Sequence, residues 1–308
     1  LKDGEVSNAA NYKKIVDAQP SSFSGAVVDD VSALTHGQTL TLTGATSVTA
    51  KLQGNGSDKD LSTVKLDSKV TEIDLNAQAA TLDADDLTNA TVTLSGGSYK
   101  VKDSASSIAS LTTALFKDKV VETTGQSELS DIKTISDHAT SVSYKIKDSV
   151  SALTGSNKSL LQGIDVEIKD ATVSGQNYNT IITEINKQAG GKLTGKVLDD
   201  ISNLVAGNSY TLGTDVTANI ESDNQDISAL DLDTEIKKID LKGKKGVIFD
   251  IANIRTGGVN KSIQDTGGGG TYKYRDTGSA LSADAATIAL IKNQTVEVSG
   301  KVDMTDLK

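Results

Sequence analysis

The sequence predicts a mainly β protein with short helices and a repeat architecture, either a β-rich solenoid or an elongated string of stacked small β modules. Three observations lead to this prediction. Similar segments recur in the same order along the chain, and apolar and polar residues alternate in short runs typical of strands. The composition also lacks the aromatic residues and prolines usual in compact enzyme domains, with seven Tyr, three Phe, no Trp and one Pro in 308 residues.

Two long stretches of the chain resemble each other. Residues 27–34 match residues 197–204, 170 positions later, and both contain an Asp-Asp pair followed by an apolar residue and Ser. Five further matches pair 11–15 with 177–181, 73–75 with 239–241, 99–103 with 272–276, 113–117 with 288–292, and 129–132 with 304–307. We therefore predict a first long copy at 1–132, a linking segment with an extra short unit at 133–176, and a second long copy at 177–308.

A shorter unit is centred on an aspartate. An apolar residue stands two positions before the Asp, a small or polar residue follows it, and Ile or Leu comes after three more variable positions. This pattern occurs at Asp29, Asp103, Asp148, Asp199 and Asp276, and Asp250 is a candidate for a degenerate unit. Asp103 and Asp148 are 45 residues apart, which predicts stacked repeats of about 40–50 residues.

Each short unit is predicted to contain a strand, a short helix and a second strand. After the alternating strand at 99–102, Ile108, Leu111 and Leu115 have the spacing of one helical face. Asp103 or Ser104 is then expected to be the N-cap of that helix, because a side-chain oxygen there accepts a hydrogen bond from a free backbone N–H.

Other short runs predict the remaining elements. Strands are expected at 39–42, 91–94, 120–124, 164–168 and 295–298, where apolar and polar residues alternate. The best longer helix is predicted at 177–187, with Ile181 and Ile185 on one face. The run of four glycines from Gly267 to Gly270 is interpreted as a flexible turn, because it leads into a strand and lacks the Lys-Ser/Thr pair of a phosphate loop.

The side chains used in many enzymes are scarce, which predicts that the chain is not an enzyme. It has no Cys and only two histidines, His36 and His138, and no nucleophile–base pair is recognisable. A formal net charge of −10 argues against nucleic acid as a partner. No stretch reaches the roughly 20 apolar residues of a membrane helix, so membrane insertion is not expected. Without an initial Met, Leu1 is expected to begin a processed chain or a piece of a longer one.

Clustered carboxylates make calcium a possible cofactor. Asp83, Asp85 and Asp86 place three carboxylates within four residues, where they repel one another unless solvated or bridged by a cation. They are the candidate metal ligands, with helix capping as the alternative. Further acidic groups stand at 29–30, 199–200 and 231–233. No twelve-residue helix-loop-helix calcium loop and no Gly-Gly-x-Gly-x-Asp run is present.

The short unit resembles one found in tandem-repeat proteins of bacterial surfaces. The segment 101–108, Val-Lys-Asp-Ser-Ala-Ser-Ser-Ile, and its four relatives are similar to the units of secreted S-layer proteins and of adhesins exported by type I systems. The resemblance implies an extracellular location at the bacterial cell surface and a structural role with self-association. The calcium-binding nonapeptides that often accompany such proteins are missing from this chain.

These observations together favour a structural, self-assembling subunit of a bacterial surface layer or extracellular filament. Its expected partners are further copies of itself and, as a second possibility, cell-surface polysaccharide. The alternative is an adhesin stalk or a surface module that binds a glycan or another ligand. A polysaccharide-active β-helix enzyme is a third, less favoured hypothesis, because few aromatic residues are available to stack on sugars.

Overall fold

A computed structural model describes residues 5–6, 9–18, 25–35, 45–53, 58–208, 211–213, 215–256 and 259–300. The chain divides into two compact units, Leu1–Ile146 (unit 1) and Lys147–Lys308 (unit 2). The boundary between them falls inside the segment 133–176 that the sequence assigns to a link.

Unit 1 is built from short strands and short helices. Its described strands are β1 (Glu5–Val6), β2 (Gly25–Asp30), β3 (Ala45–Lys51), β4 (Lys59–Asp60), β5 (Glu72–Asp74), β6 (Ala79–Leu82), β7 (Thr91–Thr93), β8 (Ser98–Asp103), β9 (Val120–Thr123) and β10 (Ser141–Ser143). Its described helices are α1 (Ala9–Ala18), α2 (Ala84–Asn89), α3 (Ala105–Ser110) and α4 (Leu129–Ser136), with 3-10 turns at Val31–Ala33 and Thr113–Leu115.

The strands of unit 1 form two parallel sheets. One has the order β1-β2-β3-β5-β7 and the other the order β10-β9-β8-β6-β4. From β3 to β8, successive strands alternate between the two sheets, so that each sheet gains a strand for every turn of the chain. Paired residues are about 20 positions apart, as in Val27 opposite Val48 and Val101 opposite Val121.

Strand formation in unit 1 follows the apolar alternation. Val101 is buried while Lys100 on the same strand is exposed, because successive side chains point to opposite faces of a sheet. The strands predicted at 91–94, 99–102 and 120–124 are confirmed as β7, β8 and β9. The strand predicted at 39–42 lies outside the described residues.

The helix predicted after β8 is shorter than the apolar spacing indicates. Helix α3 ends at Ser110, and the Leu111 N–H donates to the Ile108 carbonyl as the chain turns extended. The Ser110 hydroxyl donates to the Ser107 carbonyl at 2.6 Å, which competes with the helical backbone bonds. Ile108 is therefore buried, whereas Leu111 is only half-buried.

Unit 2 has the same kinds of elements. Its described strands are β11 (Ile146–Asp148), which starts at the unit boundary, β12 (Val166–Ile168), β13 (Leu193–Thr194), β14 (Val197–Asp200), β15 (Val216–Asn219), β16 (Ile236–Asp240), β17 (Val247–Phe249), β18 (Arg255–Thr256), β19 (Val259–Asn260), β20 (Ser262–Gln264), β21 (Tyr272–Thr277) and β22 (Thr295–Ser299). Its described helices are α5 (Val150–Leu153), α6 (Gly175–Ile185), α7 (Ile251–Ile254), α8 (Gly278–Leu281) and α9 (Ala285–Ile291), with 3-10 turns at Lys158–Leu161, Ile201–Asn203 and Ala206–Asn208.

Parallel pairing also dominates in unit 2. The sheets have the orders β11-β12-β13, β14-β15-β16-β20 and β17-β21-β22, and β18 pairs with β19 as a small antiparallel ribbon. Helix α6 confirms the helix predicted at 177–187, and Tyr178, Ile181 and Ile185 are buried on its inner face. The predicted strands at 164–168 and 295–298 correspond to β12 and β22.

At the level of fold class, the protein is β-rich, with short helices and several small parallel sheets. This confirms the mainly β prediction. Within the residues described, no helix combines the length and apolar character needed to cross a bilayer.

Candidate functional site

The repeated aspartates form hydrogen bonds between segments that are neighbours in the fold and about 20 residues apart in the sequence. Asp103 is the last residue of β8, and its Oδ1 accepts a hydrogen bond from the Ser104 N–H at 2.6 Å. Its Oδ2 accepts one from the N–H of Ala84 at 3.1 Å. Ala84 is the first residue of α2, so this carboxylate satisfies a free N–H at the start of a helix 19 residues earlier.

The same arrangement recurs, and we call it the aspartate clamp. In each case the Oδ2 of an Asp accepts a hydrogen bond from the first N–H of an earlier helix, 19 to 25 residues back. The other clamps join Asp29 to Ala9 (2.7 Å), Asp170 to Val150 (2.5 Å), Asp199 to Gly175 (2.9 Å) and Asp276 to Ile251 (3.2 Å).

Of the two residues expected to cap the helix after β8, Ser104 is confirmed as the N-cap and Asp103 is not, and Asp148, for which capping was also expected, does not cap the helix that follows it. The caps are the next residues: Ser104 Oγ accepts from the Ser107 N–H at 3.2 Å, and Ser149 Oγ from the Ala152 N–H at 3.4 Å. Each Asp still belongs to its strand, so its carboxylate binds the backbone N–H of the next residue, as in the 2.7 Å bond from Ser149 to Asp148 Oδ1.

Asp170 is a clamp residue that the sequence pattern did not identify. It lacks the Ile or Leu five positions later that defines the short unit, because Gly175 stands there. Its position two residues after the alternating strand β12 was the available signal. Asp250, the candidate degenerate unit, is the N-cap of α7 and accepts from the Asn253 N–H at 2.6 Å.

The three predicted calcium ligands lie together at a cleft in unit 1. Asp83 precedes α2 as its N-cap, and Asp85 and Asp86 are in its first turn. They line a cleft of about 220 Å³, whose lining also includes Lys65 and Asp67.

The three carboxyl groups have different surroundings. Asp83 accepts a hydrogen bond from the Asp86 N–H at 2.7 Å, and burial raises its pKa. Asp85 is exposed. Asp86 is only 5% exposed, and burial, followed by the charges of Asp83 and Asp85, raises its pKa to about 7. Within the described part of the chain, Asp86 Oδ2 has no hydrogen-bond partner.

The cleft does not have the geometry of a closed metal site. Across the described residues, no group of three or more His, Asp or Glu side chains is arranged to hold a metal ion. One oxygen of Asp83 is engaged by the backbone of α2, and the surroundings of Asp86 favour its neutral acid. Calcium binding by Asp83, Asp85 and Asp86 stays a prediction.

The other residues singled out from the sequence are in turns. Gly268 and Gly269 have positive φ angles of 73° and 80°, as expected for a turn before β21. Asp265 stabilises that turn by accepting hydrogen bonds from the N–H groups of Gly270 at 2.7 Å and Gly243 at 2.6 Å, and these bonds lower the pKa of its carboxyl group. His138 is exposed, and His36 lies outside the described residues.

Among the remaining acidic groups, Asp233 is buried. Its Oδ1 accepts from the Glu235 N–H at 2.8 Å, so this carboxylate shapes a turn of the backbone.

Ion pairs join strands within each unit. In unit 1, Lys102 Nζ lies 3.4 Å from both an Asp60 and a Glu122 carboxylate oxygen. In unit 2, Arg275 lies between Asp226 at 2.5 Å and Glu297 at 3.0 Å. Sequence reasoning missed these pairs because Lys102 and Asp60 are 42 positions apart.

No protein family, curated protein or solved structure matches this chain. Clamps and strand-joining ion pairs link segments that are neighbours in the fold. In the acidic cleft, the buried carboxyl group of Asp86 has one oxygen without a hydrogen-bond partner among the residues that the structure describes.

Proposed function

We propose that the chain is a structural, self-assembling subunit of a bacterial cell-surface layer or extracellular filament. In this proposal each unit is a β-rich solenoid, and the function is mechanical and non-enzymatic. The single observation that carries the proposal is the aspartate clamp, because its five carboxylates are engaged in hydrogen bonds to the backbone, which is a role in the fold.

Regular stacking supports the proposal. In both units parallel strands follow one another at intervals of about 20–25 residues, as in Ala218 opposite Ile239 and Ile248 opposite Lys273. This interval is about half of the 40–50 residues predicted from the aspartate pattern. Proteins built from stacked turns tolerate length differences in loops and present extended surfaces to partners.

A correspondence between the units supports two diverged copies. The elements that lie in the sequence matches are α1 and α6, β2 and β14, β5 and β16, and β8 and β21. Between or beside these matches, β3 and β15, α2 and α7, and β9 and β22 follow in the same order. Asp29 and Asp199 are the last-but-one residues of β2 and β14, and in the sheets that follow Asp103 is the last residue of β8 and Asp276 the last but one of β21.

Open strand edges supply the surface for self-association. Among the described strands of its sheet, β22 pairs with β21 alone, so its other side offers backbone N–H and C=O groups to a further strand. Val298 on β22 is 40% exposed. We propose that a second copy of the chain pairs along this edge.

Assembly is tested directly by sedimentation velocity over a range of protein concentrations, with negative-stain imaging of the concentrated protein. We expect regular sheets or filaments that grow with concentration. Val298→Lys at the β22 edge should reduce assembly, because a lysine on an edge strand opposes pairing with a second strand. Val120→Lys is the matched control: Val120 is 42% exposed, but β9 is already paired on both sides.

A chain that remains monomeric at every concentration would contradict the assembly proposal. Monomeric protein that sediments with purified cell-surface polysaccharide would support the adhesin or glycan-binding alternative. Equal loss of assembly in both lysine variants would contradict the assignment of the contact to the β22 edge.

A further inference from the structure

Helix α9 and the strand that follows it, β22, expose apolar side chains. All but one of the seven residues of α9 (Ala285–Ile291) are apolar, yet Thr287 is its buried residue and Ile288 is 53% exposed. Val298 on β22 is 40% exposed. Four large apolar side chains are exposed to this degree among the described residues, so half of them belong to these two consecutive elements. An uncovered apolar helix followed by an open strand edge is typical of a surface that binds a partner.

Strand β22 corresponds to β9 of unit 1. The offset of 175 positions that matches 113–117 to 288–292 also brings 121–122 onto 296–297, and both pairs read Val-Glu. β9 lies beside β8 as β22 lies beside β21. In unit 1 a further strand, β10, pairs in parallel with the other side of β9. The described strands of unit 2 include none on that side of β22.

The layer formed by α4 and β10 covers this surface in unit 1. Helix α4 packs against α3, and the His138 ring that follows it lies edge-on to Phe116, with 6.2 Å between the ring centroids. Strand β10 pairs with β9 at Val121. Phe116 and Val121 are each 1% exposed. Their counterparts in unit 2, Ile291 and Val296, are only half-buried.

Unit 2 has the more apolar residue at two positions of this surface. Thr123 is 8% exposed on β9, and its counterpart Val298 is 40% exposed. Thr113 is exposed in unit 1, and its counterpart Ile288 is 53% exposed. An apolar side chain in water is unfavourable, and burying it against another apolar surface recovers that free energy. The two residues therefore fit a surface that an apolar partner covers.

We propose that this surface binds the same surface of a second copy, with the two β22 strands antiparallel about a two-fold axis at Glu297. The inference rests on the proposed self-assembly and specifies its contact. In an antiparallel pair centred on Glu297, Val296 of each copy lies opposite Val298 of the other, because residues equally far from the centre are paired. A two-fold contact is self-complementary, so each apolar surface meets an apolar one.

The N-terminal elements match this surface less well. Helix α1 exposes Asn11, Lys14 and Asp17, and no large apolar side chain described in α1 or β2 is exposed. A head-to-tail contact with these elements would place polar and charged groups on Ile288 and Val298. Desolvating such groups without partners is unfavourable, which favours the two-fold contact.

The charges at the centre are compatible with this pairing. Two directly opposed glutamates would repel each other if they were unpaired. Each Glu297 carboxylate is bound by cations of its own copy, Lys273 Nζ at 2.5 Å and Arg275 Nε at 3.0 Å. Arg275 also binds Asp226 at 2.5 Å, so these four groups together carry no net charge.

The chain contains no cysteine, so a single engineered one reports this contact directly. In an antiparallel ladder the Cα atoms of opposed residues are about 4.5–5.5 Å apart, within the range that a disulfide spans. Oxidised Glu297→Cys should therefore form a covalent dimer. Glu122→Cys is the matched control and should stay monomeric, because β9 is paired on both sides although the Glu122 side chain is the more exposed, at 56% against 43%. No dimer from Glu297→Cys, or equal yields from both variants, would overturn the proposal.

Sedimentation velocity of the wild type separates this inference from the proposed function. Growth beyond dimers without a cross-link in Glu297→Cys would overturn the two-fold contact and leave self-assembly intact. A cross-linked dimer that never grows larger would support the contact and contradict the surface-layer proposal. Monomers at every concentration, with no cross-link, would contradict both.

Two measurements keep the proposal testable if a cysteine variant fails to fold. Hydrogen exchange of the β22 amides in the wild type should slow as protein concentration rises. Protection that is the same at every concentration would mean that residues 301–308 cover the edge, and would overturn the proposal. Val298→Thr, which introduces the residue of unit 1, should raise the dissociation constant of the dimer about tenfold. An unchanged constant would overturn the apolar contact.

Discussion

The Oδ2 atom of Asp103 accepts a hydrogen bond from the Ala84 N–H, 3.1 Å away and 19 residues earlier in the chain. Its Oδ1 is engaged by Ser104, so both carboxylate oxygens serve as acceptors. One side chain thus joins the end of a strand to the start of a helix in the preceding turn. This use requires a carboxylate, since an asparagine has a single acceptor oxygen and an NH₂ group that would face a donor.

Unit 2 offers a matched pair of neighbouring aspartates to test the clamp. Asp199 accepts from Gly175 and Asp200 N–H groups, both at 2.9 Å, whereas Asp200 is exposed and makes no side-chain cap. We expect Asp199→Asn to lower the free energy of unfolding by about 1–3 kcal/mol and Asp200→Asn to change it by less than about 0.5 kcal/mol. Denaturant unfolding measures both, and equal effects would rule out a clamp at Asp199.

The backbone segments at Gly97 and Gln78 also approach each other closely. A Cβ on Gly97 would lie 2.3 Å from the backbone oxygen of Gln78, which neither residue can relieve by rotating a side chain. We expect Gly97→Ala to destabilise the protein by about 1–3 kcal/mol through overpacking. Gly155→Ala is the control, because the nearest atom to its Cβ is 3.2 Å away, and its cost should stay below about 1 kcal/mol. Thermal melts of the two variants give the comparison.

The early end of α3 leads to a third prediction. Ile108 is buried at the inner face of the helix, while Leu111 lies beyond its last residue and is half-exposed. We expect Ile108→Ala to cost about 2–5 kcal/mol and Leu111→Ala to cost clearly less. The apolar spacing alone places both residues on one buried face and predicts similar losses. Equal losses in denaturant unfolding would therefore support a helix that continues to Leu115.

These residues also show which parts of the structure can be predicted from the sequence. Alternation and helical spacing are local, so the strands β7, β8 and β9 and the helix α6 were predictable from neighbouring residues. The recurring Asp was found as a pattern, but its partner was not, because the Ala84 N–H carries no side-chain signal and lies in another turn. The end of α3 depends on serine hydroxyls that compete for backbone carbonyls, which apolar spacing does not register.

The acidic cleft was predictable in part for the same reason. Three carboxylates within four residues identify the cluster, and the structure keeps Asp83, Asp85 and Asp86 at one cleft. The pKa values of Asp83 and Asp86 are raised because these two groups are partly buried, and their burial is set by the packing of α2.

The last prediction concerns acid stability at Asp284, which caps α9. The Arg255 guanidinium lies 2.6 Å from its Oδ1, and this bond, followed by one from the Thr287 N–H, lowers the Asp284 pKa to about 2. A lowered folded-state pKa gives stability that is present above the unfolded value near pH 4 and is lost as pH falls toward 2. Arg255→Gln removes the largest cause, so its acid unfolding, followed by circular dichroism, should begin at higher pH than in wild type. Asp284→Asn keeps an acceptor for the Thr287 N–H and should remove this contribution to the pH dependence. If Arg255→Gln and wild type unfold at the same pH, the Arg255–Asp284 pair makes no contribution to acid stability.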